Sequence, residues 1–334
     1  MKPRLIGACV IAVLSLVAPA VVPLAAQAAT IEVDIDAMPR GEDMNVPWLD
    51  KSDATIHEDI VRPAGFDHPV LFRYASFGYV VDGEGARLIY HTFSGEHLDV
   101  MAAKYWRIRT GFQAGRQIAA ITRRDGSYWL HVRRAYDSSL LLRKRLGSVW
   151  RLRGFHDTRV WIGEGYVDIR DGRFVRVPRL DTSRTVTTDV RLNVMGSSRP
   201  GQLGVVVSPI RGTGFAPWSR ADAGVLGWSP DGKYVVTHTD VTTGGDNEPF
   251  ISTIRLRNAR TGALVHQFDG LFHGARIRWE DDEHFLIAMG GASAEWQDAP
   301  LAWARLGIDG SAERASEFSG TMATGALLQP MWNR

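Results

Sequence analysis

The chain has 334 residues, with 39 Lys and Arg against 37 Asp and Glu, so its formal net charge is only +2. It is 45% hydrophobic, rich in Trp (11) and Gly (34), and holds one cysteine, Cys9. A single cysteine excludes a disulfide scaffold, so the core alone must stabilise the fold, and a chain of this length buries enough apolar surface to do so.

The first residues read as a targeting segment. MKPR is a short basic start, 5–24 is mostly apolar, and Ala26-Gln27-Ala28 is a small-x-small cleavage signal. That is the layout of a secretory signal peptide over 1–28, with Ala29 opening the mature chain 29–334. An uncleaved anchor is the alternative, since 5–24 approaches spanning length. Pro19 and Pro23 beside the small-residue end favour cleavage. Cys9 follows Ile6-Gly7-Ala8 in the manner of a lipobox, but too little apolar chain separates it from Arg4 for that role. Cleavage after Ala28 leaves no thiol chemistry. No later run resembles a membrane span, so the mature protein is expected to be exported, secreted or held in the cell envelope.

Residues 30–36, TIEVDID, alternate with period two and predict a half-buried strand, with Asp34 and Asp36 on its outer face. A polar stretch, 37–69, follows and holds Trp48. From Val70 the pattern becomes a succession of short strands. VLFRYASFGYVVDGEGARLIYHTF gives one or two hairpins, and 98–103 is a helical turn or another strand. Segments 116–122 and 128–133 flank a turn at Arg123-Arg124-Asp125-Gly126-Ser127. Then come 140–142, 149–152, 158–162, 165–169 and 173–177, the last pair broken at Asp171-Gly172, followed by 186–194, 204–207 and a Gly-rich loop to Trp218.

The end of the chain is clearest. Strands are predicted at 226–228, 234–239, 251–258 and 263–269, and again at 275–279, 284–289, 300–308 and 312–318. Each set opens on a Trp followed by a polar turn, WSPDGKYVV at Trp228 and WEDDEHFLIAM at Trp279. In WSPDGK, Pro230 presets φ, Asp231 bonds its own backbone and Gly232 supplies the positive φ. Each set joins its third and fourth strands at a Gly turn, Arg260-Thr261-Gly262 and Asp309-Gly310. A four-stranded unit recurring every 40–50 residues is the signature of a β-propeller blade. The expected fold is all-β, one propeller of six or seven four-stranded blades. Its ring would be closed by pairing of N- and C-terminal strands, with 30–36 completing a last blade whose tail is 320–334.

At WSPDGKYVV and IRLRNARTGALVHQF the chain resembles the WD-repeat-like propellers of the TolB C-terminal type, which carry a recurrent SPDGK turn. One blade matches well and a second loosely; the repeated Trp-Asp dipeptide and the Gly-His pair of WD repeats are missing. The resemblance implies a propeller fold and a role in protein binding or as a scaffold in the cell envelope. The turn itself is structural.

Catalytic signals are sparse. Gly290-Gly291-Ala292-Ser293-Ala294 is the nearest approach to a nucleophile elbow and lacks the closing Gly. The ten His residues show no His-x-His or His-x-x-x-His spacing, and no EF-hand or phosphate-binding loop occurs, so no metal and no cofactor are expected. Glu280-Asp281-Asp282-Glu283 suggests calcium or a solvated turn. The enzyme reading is a propeller acting on carbohydrate or lactone, with acidic residues such as Asp157, Asp168 and Asp240 meeting at the channel mouth.

Binding has better candidates. The loop 240–249 holds Asp246, Asn247 and Glu248 in a flexible Gly-Gly setting between two strands of the best-defined blade. Phe215 and Trp218 belong either to a face loop that stacks on a sugar or peptide, or to the core between blades. Between Arg107 and Arg184 there are 18 Lys or Arg against 7 Asp or Glu, a local +11 that leaves −9 for the rest of a chain totalling +2. That asymmetry marks either a patch for an anionic partner or charged strand edges that discourage further pairing. The reading is an exported, monomeric, non-catalytic propeller that binds a protein or an anionic envelope polymer and not nucleic acid.

Overall fold

The alternating segments fold into strands throughout, and among the described residues every regular element is a β-strand. The computed structural model describes residues 28–46, 48–50, 55–57, 62–63, 69–75, 78–83, 87–91, 97–102, 107–114, 117–124, 126–134, 137–147, 152–178, 180, 185–198, 204–239, 242–243, 249–291, 298–318 and 329–330. In the strands from 48 to 114, at 242–250 and at 329–330, the description is of the backbone.

These strands form five four-stranded sheets and one of nine strands. The first sheet joins Gln329–Pro330 to Trp48–Asp50, Thr55–His57 and Arg62–Pro63, so strands from opposite ends of the sequence pair, Trp48 with Pro330 and Leu49 with Gln329. The next comprises Pro69–Ala75, Gly78–Gly83, Arg87–His91 and His97–Ala102; the 98–103 segment is thus a strand. Sheet 107–145 holds Arg107–Ala114, Gln117–Arg124, Ser127–Arg134 and Leu140–Arg145. Sheet 152–176 holds Leu152–His156, Arg159–Ile162, Gly165–Asp168 and Phe174–Arg176, and sheet 185–220 holds Thr185–Asp189, Val194–Ser198, Val205–Pro209 and Trp218–Arg220. The nine-stranded sheet runs from Gly224–Trp228 to Ala312–Arg314 through the sixteen-residue strand Leu264–Trp279. That strand serves as the fourth of one antiparallel unit and the first of the next. The first strands of successive sheets lie against one another from Pro69–Ala75 through to Leu264–Trp279, as blades do around an axis.

Four segments depart from the sequence expectation. The two strands expected at 263–269 and 275–279 are the single strand Leu264–Trp279. The single strand expected over 186–194 is a hairpin, because Asp189 accepts the N–H groups of Arg191 and Leu192 at 3.0 and 3.1 Å and Asn193 adopts a left-handed φ of 57°. Trp218–Arg220 is a fourth strand where only loop was expected. The N-terminal strand is confined to Ala29–Glu32 and pairs in parallel with 266–269, at the flank of the nine-stranded sheet, instead of completing a unit with the tail 320–334. Its chain turns at 35–37, where Asp34 accepts the Asp36 N–H, so the two aspartates do not share a strand face.

From there 33–46 wraps the last unit. Val33, Ile35 and Met38 enter the apolar cluster of Ile254, Phe268, Phe285 and Ile287 on one face, and Met44 and Val46 join Leu286, Leu301 and Trp303 on the other. Gly270 makes room for this segment, since a Cβ there would come within 2.7 Å of the Val33 carbonyl oxygen. Between the two anchors Arg305 binds Glu280 and Glu313 and donates to the carbonyls of Glu42 and Asp43, at 3.2 and 3.0 Å.

Elsewhere the core lies between neighbouring sheets. Leu130 and Val132 of one sheet meet Val160 and Val167 of the next, whose opposite face sends Trp161 and Tyr166 against Val186 and Met195. His131 is buried in sheet 107–145, and burial first, then the nearby Arg133 and Arg143 cations, lower its pKa to about 4.

Two outcomes are expected. Ile35→Ala, at a fully buried position, should cost about 2–5 kcal/mol in urea unfolding; a loss near zero would show that the wrapping segment does not belong to the core. Because His131 titrates lower when folded than unfolded, its contribution is present above the unfolded pKa of about 6.5 and is lost as pH falls toward 4. The protein should therefore lose up to roughly 3 kcal/mol across that window, and His131→Gln should flatten the loss in unfolding curves taken at several pH values.

Candidate functional site

In an up-and-down antiparallel unit, the turns joining the first to second and the third to fourth strands emerge at one end, and the second-to-third connection at the other. Neighbouring sheets keep this order side by side: Leu192 of one first turn is 3.1 Å from the Cβ position of Gly232 in the next. One face of the molecule therefore gathers the turns 157–158, 169–173, 190–193, 210–217, 229–233, 259–263, 280–283 and 308–311.

Short polar residues build these turns. Ser229 donates to Asp231 Oδ1 at 2.7 Å and accepts the Tyr234 N–H at 2.9 Å, Asp231 accepts the Lys233 N–H at 2.9 Å, and Gly232 sits at φ 73°. Lys233 then closes on Asp231 at 2.9 Å. In the next unit His284 Nδ1 lies 3.1 Å from Asp281, in the place of that lysine, while Asp281 Oδ1 accepts the Glu283 and His284 N–H groups. The acidic run 280–283 is thus a turn, with Glu280 turned to Arg305. Among the described residues, no group of three His, Cys, Asp or Glu is arranged to hold a metal ion.

The two loop candidates belong to different kinds of connection. Asp246, Asn247 and Glu248 lie outside the described residues; their loop is a second-to-third connection, flanked by the pairs Thr242–Phe250 and Thr243–Pro249. Phe215 and Trp218 belong to a third-to-fourth connection. Trp218 is buried, donates its indole N–H to the Ala259 carbonyl at 2.9 Å, and packs with Val207, Trp228 and Val235. A Cβ at Gly262 would come within 2.7 Å of its ring, and Phe215 packs against the same cluster. Both aromatics are part of the core between sheets, the second of the roles left open by the sequence.

Of the acidic candidates, Asp240 lies outside the described residues. Asp157 is exposed beside His156 at 3.5 Å. Asp168 is held by Arg170, through Nε at 2.9 Å and Nη2 at 2.5 Å, and these bonds keep its carboxyl well below the usual carboxylate range. A carboxylate gripped this way is an acceptor already used, not a general acid.

A buried ionic cluster escaped the sequence reading. Asp222 is fully buried and receives Arg257 Nε at 2.8 Å and Nη2 at 3.1 Å, Arg255 Nη1 at 2.7 Å, and the Thr237 hydroxyl at 2.8 Å. Burial alone would raise its pKa, but the bonds from Arg257, Arg255 and Thr237 outweigh it and the net shift is downward. One carboxylate stands between two guanidiniums, so the cluster keeps a net positive charge while it cross-links the strands Tyr234–His238 and Pro249–Asn258 to the entry of the unit. The only available signal was the i, i+2 spacing of Arg255 and Arg257 in IRLRN.

The basic span resolves into two consecutive sheets, 107–145 and 152–176. The outermost strand of the first, Leu140–Arg145, places Arg143, Lys144 and Arg145 at a sheet edge. Lys144 Nζ donates to the Gly172 carbonyl at 2.8 Å and Arg145 to the Ser127 hydroxyl at 2.8 Å, both neutral acceptors, so their charge is not cancelled locally. Arg143 lies over the Trp129 ring at 4.6 Å and Arg123 over Tyr128 at 5.8 Å. Exposed Leu140 and Phe174 accompany these cations on the outer strands of the two sheets.

No family model and no curated protein sequence matches the chain. Among solved structures it is similar to a functionally unknown protein from Desulfotomaculum acetoxidans DSM 771, at 10% identity and TM-score 0.56, covering 88% of this chain and 100% of that one. It is also similar to a chain of the mitotic checkpoint complex, at 13% identity and TM-score 0.50, covering 74% and 80%. Kluyveromyces lactis Hsv2p aligns at 13% identity and TM-score 0.47, covering 72% and 74%. At these identities the likeness is one of fold: the chain has a β-propeller fold, and the neighbours do not single out the TolB type.

Proposed function

We propose that this propeller is an exported, non-catalytic binding module whose basic sector, the sheets 107–145 and 152–176, takes an anionic protein or envelope polymer. The observation that carries this reading is the set of cations on sheet 107–145 that meet carbonyls, hydroxyls and ring faces in place of carboxylates, Lys144 and Arg145 on its outermost strand and Arg123 on an inner one. Such groups keep their field directed outward, which favours encounter with a negative partner. Edge position adds a second benefit, since like charges there discourage pairing with a further strand. The mitotic checkpoint complex shows a chain of this fold inside an assembly. Within the same proposal the ring has seven blades. Five are the four-stranded sheets and two share Leu264–Trp279, with Gln329–Pro330 closing the circle on Trp48–Asp50.

The test is retention of the full chain on an immobilised sulfated polysaccharide, alongside pull-down from an envelope fraction. Binding at low salt is expected to vanish toward about 1 M, where the screening length is about 3 Å. Arg123→Gln/Lys144→Gln/Arg145→Gln should elute at clearly lower salt, while Lys233→Gln, already neutralised by Asp231, should elute with the unaltered protein. Salt-independent retention, or equal elution of the triple variant, would rule out the basic sector.

A further inference from the structure

We infer that Arg159, Arg211 and the ring of Tyr166 form a binding site for a tetrahedral oxyanion, of the phosphate or sulfate class, where sheets 152–176 and 185–220 meet on the turn face. This rests on the anionic-partner reading above and gives it a particular site.

The register sets the geometry. Arg159 pairs with Asp168 and Trp161 with Tyr166 across Arg159–Ile162 and Gly165–Asp168. Alternation therefore puts all four side chains on the face that packs against sheet 185–220. A directly opposed Arg and Asp would ordinarily bind each other, but both Asp168 oxygens are already held by Arg170. The Arg159 guanidinium lies instead 5.2 Å from the Tyr166 ring centre, and its Nε is buried without an acceptor among the described residues. From the neighbouring sheet Arg211 reaches the same ring at 5.4 Å. Its backbone is fixed beforehand: Asn193, at φ 57°, accepts the Arg211 N–H at 3.0 Å and donates to its carbonyl at 2.7 Å.

The nearby carboxylates are otherwise engaged. Glu164 binds Arg176 at 2.9 Å, Asp189 lies 3.8 Å from Arg191, Asp157 is beside His156, and Asp171 accepts the Arg173 N–H at 2.8 Å. With Arg170 cancelled by Asp168, two guanidinium charges converge on one buried ring. A cation over an aromatic face is held weakly, and charge-assisted, bidentate bonding to an anion holds a guanidinium more strongly and in a fixed direction. Two forks arriving from different sheets need an acceptor with oxygens in more than one direction. A tetrahedral oxyanion has them, whereas a carboxylate offers a single edge.

Titration calorimetry of the full chain with inorganic phosphate and with acetate, at one ionic strength, tests this. Phosphate should bind, acetate at least tenfold more weakly, and Arg159→Gln/Arg211→Gln should lose at least tenfold in phosphate affinity. Arg211→Gln alone, at an exposed side chain, should lose several-fold and serves if the double variant does not fold. Arg123→Gln/Lys144→Gln/Arg145→Gln should keep phosphate affinity while losing polymer retention. Absence of phosphate binding, parity of acetate, or undiminished affinity in the Arg211 variant overturns the site. Retention on the sulfated polymer in that event leaves the broader reading standing, and loss of both removes the two together.

Discussion

A sheet that is apolar on both faces has to be covered on both, and every other feature of this molecule follows from that constraint. In sheet 152–176 the alternation sends Val160, Ile162 and Val167 one way and Trp161 and Tyr166 the other, so the sheet is stable only between two neighbours. Repetition of such units gives a ring of sheets in which the hydrophobic driving force is shared across every boundary. At the last unit the chain adds a further cover: the segment 33–46 passes from one face to the other, with Ile35 completely buried. Where the chain crosses the sheet edge, Arg305 donates to the carbonyls of Glu42 and Asp43 while its charge is matched by Glu280 and Glu313. A half-buried cation with this many partners is costly to disturb from either side.

Turn chemistry solves the complementary problem, how to reverse direction at the end of each strand without orphaning backbone groups. Asp189, Asp231, Asp281, Asn258 and Asp309 each accept N–H groups two or three residues on, and Gly172, Gly232, Gly262 and Gly310 supply positive φ in turns of the same face. Because these residues serve the backbone, their charges are largely consumed at home. Lys233 and His284 illustrate this, since each closes on the aspartate of its own turn. Lys144 and Arg145, which donate to neutral acceptors, lie outside this turn grammar, on a strand at a sheet edge.

That distinction explains what could be read in advance. The WSPDGKYVV and WEDDEHFLIAM hairpins, the Gly turns at 262 and 310, and the hairpin around Gly126 were legible because local patterning dictates them. The hairpin within 186–194 was hidden, since Asp189 and Asn193 carry no glycine or proline to mark the turn. The long strand Leu264–Trp279 was hidden as well, because continuity from one unit into the next is a property of the ring. The destination of the N-terminal strand, beside 266–269, is a tertiary choice made among exposed edges of similar chemistry. Trp218 shows the limit on the functional side: its loop setting suggested a ligand, and only the position of Ala259 and Gly262 on the adjoining unit reveals that it packs inside.

Ionic partner choice was the least legible of all. IRLRN announces two arginines on one face, yet nothing in that phrase names Asp222, which lies more than thirty residues earlier at the entry to the unit. Asp168 poses the sharper case, with Arg159 opposite it across the ladder and Arg170 two residues along. Sequence spacing permits either pair. The turn decides, because the backbone that reverses after Asp168 carries the Arg170 N–H to the same carboxylate, at 3.1 Å, and brings its guanidinium along. One local backbone bond thereby frees Arg159 from its cross-strand partner and turns it toward Tyr166. The charge at the boundary between two sheets is thus set by a turn, which ties the turn chemistry of the fold to the proposed oxyanion site.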